Sequence, residues 1–396
     1  MATATFSRIS VRAPKGAFRN EPFTDFTHDG VAKARMREAL ARVRSEFGRE
    51  YNLVIGGEQI RTNGKIKSIN PAHPTQVVGI HQKAEAEHAE LAMKAALRAF
   101  DSWKHVAVEE RASLLFRAAE IIRARKFEFM SWLVYEVGKN WGEADADVGE
   151  TIDFLEFYGR EALRFAKAEP PIQIPGEHDE LRYIPLGVGA VISPWNFPFA
   201  IMAGMTSAAV VAGNAVILKP SSDSPTIAAR FVEVLEEAGI PEGVVNFCPG
   251  SGATFGNAIV EHPKTRFIAF TGSKEVGLDI HYRAAKTQPG QIWIKRTVLE
   301  MGGKDSILVD VEADLDAAVE GVAVSAFGFN GQKCSAASRA IVDERIYDVF
   351  VERLRDRVSQ IQQGDPADNY YMGPVVSEGA MRTILNYIEI GRGEGR

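Results

Sequence analysis

Apolar positions in the first part of the chain recur at three- and four-residue steps. Met36, Leu40, Val43 and Phe47, with Arg and Glu between them, predict a helix from Val31 to Phe47. Tyr51 to Ile60 reads as a hairpin turning at Gly56-Gly57, and Asn70-Pro71 and His73-Pro74 mark a loop. Helices over 84–103 and 108–135 follow, the first on Ala-rich spacing, the second on Leu115, Ala119, Ile122 and Phe129, and Gly138 ends the pair. A third helix over 143–166 carries Ile152, Leu155, Tyr158 and Leu163 on one side, before Pro170-Pro171 and Pro175-Gly176 break the chain.

The pattern then changes. Strand-like runs at 182–193, 215–219, 244–248 and 266–270 alternate with helical runs at 198–213, 225–239, 253–262 and 273–285. Such alternation with short turns predicts an α/β fold, a parallel sheet covered on both faces. A second run has strands at 297–301, 306–309 and 338–343, helices at 314–327 and 345–361, and a helix-like end from Met381 to Ile390.

Composition narrows the class. At 396 residues the chain can form two domains, and 45% hydrophobic with 25% charged residues is a globular balance. The net charge of −6, with both signs interspersed, argues against nucleic acid as the main partner. Two cysteines cannot build a disulfide framework, which fits a reducing compartment. No apolar run is long enough to span a bilayer; Phe197 to Val211 is short and holds Gly204, Thr206 and Ser207. The expected location is cytoplasmic. Arg8, Arg12 and Lys15 in 1–16 leave an amphipathic transit peptide, and so the mitochondrial matrix, as the alternative to a simple tail.

Two residues suggest chemistry. Cys334 sits in the polar loop Asn330-Gly331-Gln332-Lys333-Cys334-Ser335, between a helical run and a strand. A thiol there can meet a substrate as thiolate; the competing reading is a small buried residue, as for Cys248 in its apolar strand. Glu300, in Leu299-Glu300-Met301-Gly302-Gly303-Lys304, ends another apolar strand. A thiol and a carboxylate so placed suggest a nucleophile and a general base sharing one cleft. The eight histidines are scattered without metal-ligand spacing, so no metal is expected.

FNGQKCSAASR at 329–339 and LEMGGKD at 299–305 resemble the two signatures of the NAD(P)-dependent aldehyde dehydrogenases. PWNFP at 194–198, LKPS at 218–221 and FTGS at 270–273 match that family in order, and the resemblance runs from about Tyr51 to the chain end. It implies an N-terminal extension with a helix (1–50), an NAD-binding domain of Rossmann type including the N-terminal helices (51–298), and an incomplete α/β catalytic domain (299–396). AFRNEPFTDF, EVGKNW and CSAASR are similar to the branch that oxidises L-glutamate γ-semialdehyde to L-glutamate, the second step of proline breakdown.

The resemblance also assigns roles. Cys334 would attack the aldehyde, the Asn196 amide and the Cys334 N–H would hold the oxyanion, and Glu300 would activate water against the thioester. Lys219 would bond the adenosine ribose, with help from Ser221, and Thr271, Gly272 and Ser273 would meet the pyrophosphate. Gly252, in Pro249-Gly250-Ser251-Gly252-Ala253-Thr254-Phe255-Gly256, opens a helix after a strand, although GxGxxxG is not the usual dinucleotide spacing. Trp195 completes the expected cofactor contacts. Ser222 stands where many NAD-preferring relatives carry glutamate, which leaves NADP possible beside NAD. Ser335 would bond the substrate carboxylate, Phe197 would flank its aliphatic part, and Lys333 would add positive charge.

Three competing readings stay open: another aldehyde as substrate, a thiol hydrolase using Cys334 and Glu300, and a fragment that only binds nucleotide or partner subunits. The last arises because the chain stops early by the family's standard. The glutamate–phenylalanine motif for the nicotinamide ribose, the loop gripping the substrate carboxylate and a dimer-forming strand are not found. Full-length relatives are expected to be homo-oligomers.

Overall fold

The computed structural model describes residues 16–167 and 171–395, so the transit-peptide reading of 1–16 falls almost wholly outside the described residues. Helix α1 (Gly30–Arg44) is capped by Asp29, whose side chain accepts from the N–H groups of Val31 and Ala32, and it buries Met36, Leu40 and Val43. Five short strands follow: β1 (Arg49–Tyr51), β2 (Leu53–Ile55), β3 (Glu58–Ile60), β4 (Lys65–Ile69) and β5 (Val77–Gln82). β2 and β3 form the predicted hairpin, with positive φ at both Gly56 and Gly57, as a two-residue primed turn requires. β4 and β5 were not anticipated from the pattern, and with β1 they make a separate three-stranded sheet.

Helices α2 (Ala86–Trp103), α3 (Val108–Ala124), α4 (Lys126–Val137) and α5 (Trp141–Ala166) come next. The single helix expected over 108–135 is two. Arg125 interrupts it with φ −108° and ψ 21°, and its guanidinium bonds the Glu128 carboxylate instead.

The rest of the chain builds the main sheet and a smaller unit. The elements are β6 (Val188–Ile192), α6 (Ala200–Val211), β7 (Ala215–Lys219), α7 (Pro225–Ala238), β8 (Val245–Phe247), α8 (Asn257–Glu261), β9 (Thr265–Thr271), α9 (Lys274–Ala285) and β10 (Arg296–Glu300). After them come β11 (Asp305–Val309), α10 (Leu315–Phe327), β12 (Ala337–Val342), α11 (Tyr347–Ser359) and α12 (Glu378–Glu394). The strand expected from 182 begins only at Val188, because Pro185 cannot donate to a ladder and Tyr183 and Ile184 are exposed.

The main sheet has seven strands in the order β10-β9-β6-β7-β8-β2-β3. Its first five are mutually parallel, but β2 joins β8 antiparallel, so the sheet is mixed at one edge rather than parallel throughout. Val-Gly-Ala-Val-Ile of β6 and Ala-Val-Ile-Leu-Lys of β7 are buried at every position, as central strands covered on both faces require. The chain leaves β6 toward β7 and β8, then returns to place β9 on the other side of β6. That reversal opens a crevice beyond the strand C-termini, where such sheets bind ligands. The expected division at 298/299 falls inside β10, which pairs with β9 along its whole length. The second unit is the parallel pair β11-β12 packed with α10 and α11 around Val309, Val319, Val322 and Phe350.

Candidate active site and nucleotide cleft

The C-terminal ends of all five parallel strands lead into one cleft of about 860 Å³. Ile192-Ser193-Pro194 enters from β6, Lys219 from β7, Gly252 from the turn after β8, Thr271-Gly272-Ser273 from β9 and Met301-Gly302 from β10. Trp195, Asn196 and Ser221 line it too. The loop Gly331-Gln332-Lys333-Cys334 closes its far side.

The nucleotide half has the expected residues together. Lys219 is 7% exposed, and its ammonium donates to the Pro220 carbonyl at 3.2 Å. Burial pushes its pKa down to about 8. An ammonium has three N–H donors, so a buried one with a single protein acceptor among the described residues is suited to ligand hydroxyls. Gly252 opens a single π-turn (Gly252–Gly256), and a Cβ built there would meet nothing within 4 Å, leaving backbone open to an approaching phosphate. Ser273 is the N-cap of α9, its Oγ accepting from the Val276 N–H at 3.3 Å, so the positive end of a twelve-residue helix faces the cleft. These features fit a dinucleotide.

The cysteine loop is built under constraint. Phe329, Asn330 and Gly331 all have positive φ (49°, 57° and 69°), a conformation that is strained for an aromatic residue by about 1–3 kcal/mol. Neighbours hold it there. Asn330 Nδ2 donates to the Gly373 carbonyl at 2.8 Å, and Gln332 Oε1 accepts from the Val376 N–H at 3.0 Å. Asn196 Nδ2 donates to the Gln332 carbonyl at 3.0 Å, while its Oδ1 accepts from the Phe197 N–H at 3.1 Å. The Gly303 N–H donates to the Cys334 carbonyl at 3.1 Å. A Cβ on Gly303 would stand 2.8 Å from that oxygen, so glycine is what lets the two signature loops touch. Cys334 itself is exposed at the cleft, whereas Cys248 is fully buried and burial pushes its thiol pKa up.

Not every expected residue reaches the cleft. Glu300, Ser335 and Phe197 are absent from its lining. Glu300 lies on the exposed face of the edge strand β10, whose residues alternate between exposed and half-buried, and its carbonyl accepts from the Gly272 N–H at 3.0 Å. Phe197 instead faces Lys139, whose Nζ is 3.9 Å from the ring centroid. The Lys333 Nζ turns toward Gly328 and Glu143: a Cβ on Gly328 would be 3.2 Å from that nitrogen and 3.8 Å from Glu143 Oε1.

Sequence reasoning missed Lys139, Asp147 and the clamping role of Gln332. Lys139 and Asp147 are each fully buried and joined at 2.9 Å. The available signal was a lysine in Glu-Val-Gly-Lys-Asn-Trp, a charge between two apolar helical runs.

The profile described as "Aldehyde dehydrogenase family" matches residues 59–396, so the chain belongs to the aldehyde dehydrogenase family. Its relatives within that family are more specific. It is 56% identical over 380 residues to the 1-pyrroline-5-carboxylate dehydrogenase of Geobacillus thermodenitrificans, covering 96% of this chain and 74% of the relative. It is 53% identical over 380 residues to the protein of the same name in Bacillus subtilis, with the same coverage. Among solved structures, 1-pyrroline-5-carboxylate dehydrogenase from Thermus with bound NAD superposes with a TM-score of 0.94 at 51% identity, over 96% of this chain and 74% of that one. Proline utilization A from Bdellovibrio bacteriovorus superposes with a TM-score of 0.91 at 44% identity, over 96% of this chain and 40% of that one.

Proposed function

We propose that the chain oxidises L-glutamate γ-semialdehyde, the open form of 1-pyrroline-5-carboxylate, to L-glutamate with NAD. The observation that carries this reading is an exposed cysteine lining a strand-end cleft, two residues from a carbonyl held by the Asn196 amide. The names of relatives more than 50% identical supply the substrate.

Lys219, Ser221, the Gly252 turn and Thr271-Gly272-Ser273 would hold the dinucleotide, which when bound supplies a hydride acceptor. Cys334 as thiolate adds to the aldehyde carbon and gives a thiohemiacetal. The developing oxyanion needs preorganised donors. Asn196 has one amide N–H committed to Gln332 and a second free to serve, and its orientation is fixed by the Phe197 N–H. Loss of hydride leaves a thioester on Cys334, and a general base must then direct water at it. Glu300 takes that role by swinging from the exposed face of β10 into the cleft beside Met301. Ser335 follows the thiol and would meet the substrate carboxylate, while Lys333, its ammonium turned toward Glu143, would add only positive charge nearby.

The two-unit division belongs to this proposal, with the boundary placed at 301–304, where the chain runs on from the edge strand β10 to β11. Self-association and a cytoplasmic location belong to it as well; among the described residues no helix is long and apolar enough to cross a membrane. The test is NADH formation across an aldehyde panel. Glutamate semialdehyde should exceed propanal and other short aliphatic aldehydes in kcat/KM. Equal use of all, or product without NAD, would refute the reading.

A further inference from the structure

We propose that Lys139 is a positioning residue that locks the Asn196 loop to the cysteine loop, using its ammonium as a shared cation under two aromatic rings. Lys139 follows Gly138, the left-handed residue that ends α4, so its side chain is thrown inward between α4 and α5. It is 0% exposed. A buried ammonium is costly unless it is paired and further solvated by polar or π groups.

Among the described residues, one carboxylate and two rings contact its ammonium directly. Asp147 Oδ2, on α5, accepts from Nζ at 2.9 Å. The Phe197 ring centroid is 3.9 Å from Nζ, and the Phe329 centroid is 4.9 Å away. Phe197 is the residue whose N–H orients the Asn196 amide. Phe329 begins the left-handed turn that leads to Cys334. One cation therefore contacts a ring from each loop.

Asp147 extends the lock. Its Oδ1 accepts from the Ala200 N–H at 2.7 Å. Helix α6 starts after Phe199, which offers no side-chain oxygen, so this carboxylate serves as its cap. The Asn196 loop is thus tied at its C-terminal end by Asp147 and in its middle by Lys139. The direct links between the loops are the Asn196–Gln332 hydrogen bond and the Trp195–Phe329 ring contact, with centroids 6.5 Å apart. Both depend on Phe197 and Phe329 staying where Lys139 holds them. Lys139 lines no part of the cleft.

Lys139→Met alone leaves Asp147 buried and uncompensated, so the decisive variant is Lys139→Met with Asp147→Asn, which retains an oxygen for the Ala200 N–H. Hydrogen exchange of the NAD-free chain reads the lock without reference to activity. Amides in 195–199 and in 329–335 should exchange roughly tenfold faster or more in the double variant, while those of β9 stay unchanged. The kinetic arm rests on the activity proposed above: kcat should fall about a hundredfold with the NAD dissociation constant within twofold, because donor and thiol are misplaced by a fraction of an ångström to an ångström. Unchanged exchange at both loops, acceleration at one loop only, or uniform acceleration including β9 would overturn the proposal. A natural chain without turnover would refute the dehydrogenase reading and leave the exchange result to decide this one.

Discussion

The side-chain amide of Asn196 donates to the backbone carbonyl of Gln332 at 3.0 Å, so two loops separated by more than a hundred residues meet two positions before Cys334. The amide's other N–H stays available. Replacing Asn196 by Ala removes both the oxyanion donor and the tether. Loss of one such donor costs about 100- to 1000-fold in kcat, so Asn196→Ala should lose at least that, with NAD affinity nearly unchanged. Steady-state kinetics with nucleotide titration checks this, and a loss of less than fivefold would remove Asn196 from the reaction.

Glu300 lies outside the cleft lining, on the open face of β10. If it moves in to activate water, Glu300→Gln should slow thioester release more than thioester formation. A general base contributes roughly two to four orders of magnitude, so a burst of NADH followed by a slow steady state is expected in stopped flow. Equal slowing of both phases would count against this role.

Ser335 follows the nucleophile directly. A hydrogen bond to a charged group is worth about 1.5–3 kcal/mol, so Ser335→Ala should reduce kcat/KM for glutamate semialdehyde roughly tenfold or more. Propanal, which has no carboxylate, should be used as well as before. A parallel decline for both aldehydes would show a general packing effect instead.

His81 offers a test of the fold rather than of the site. Its ring is fully buried, stacked on Tyr51 with centroids 4.7 Å apart and bonded through Nε2 to Thr226 Oγ1 at 3.0 Å. Burial pushes its pKa down to about 3. An unfolded imidazole titrates near pH 6.5, so between the two values only the unfolded chain takes up the proton. Stability from this group is complete above about pH 6.5 and is lost as pH falls toward 3. Denaturant unfolding at about pH 7.5 and about pH 5.5 should show the natural chain losing about 1.4 kcal/mol more than His81→Gln. Identical losses would mean that His81 is protonated in the folded state.

The residues that sequence could place are those where one physical rule acts alone. The apolar run of β7 stops at Lys219, and such a stop marks a strand end facing a crevice. Likewise Ser273 opens a helix as its cap. Structure was needed where partners are distant. The loop at Asn70-Pro71 and His73-Pro74 was legible, but the strands it joins were not: β4 is mostly exposed or half-buried, and β5 buries the polar His81 and Gln82. Arg125 breaks a helix whose apolar period runs straight through it. Lys139 is polar by identity and buried by context; no local pattern announces an ammonium between two rings and a carboxylate. Gln332 was visible inside a motif, but its clamp depends on Val376 and Asn196, which only folding brings near.

The central claim is that the aldehyde passes through a thioester on Cys334. The direct measurement is peptide mass mapping after the chain is mixed with NAD and glutamate semialdehyde and quenched in acid. The expected result is a glutamyl adduct on the peptide holding Cys334. It should require NAD, accumulate further in Glu300→Gln and be absent, together with NADH, in Cys334→Ala. NADH formed at an undiminished rate by Cys334→Ala, with no adduct on the natural chain, would contradict the claim.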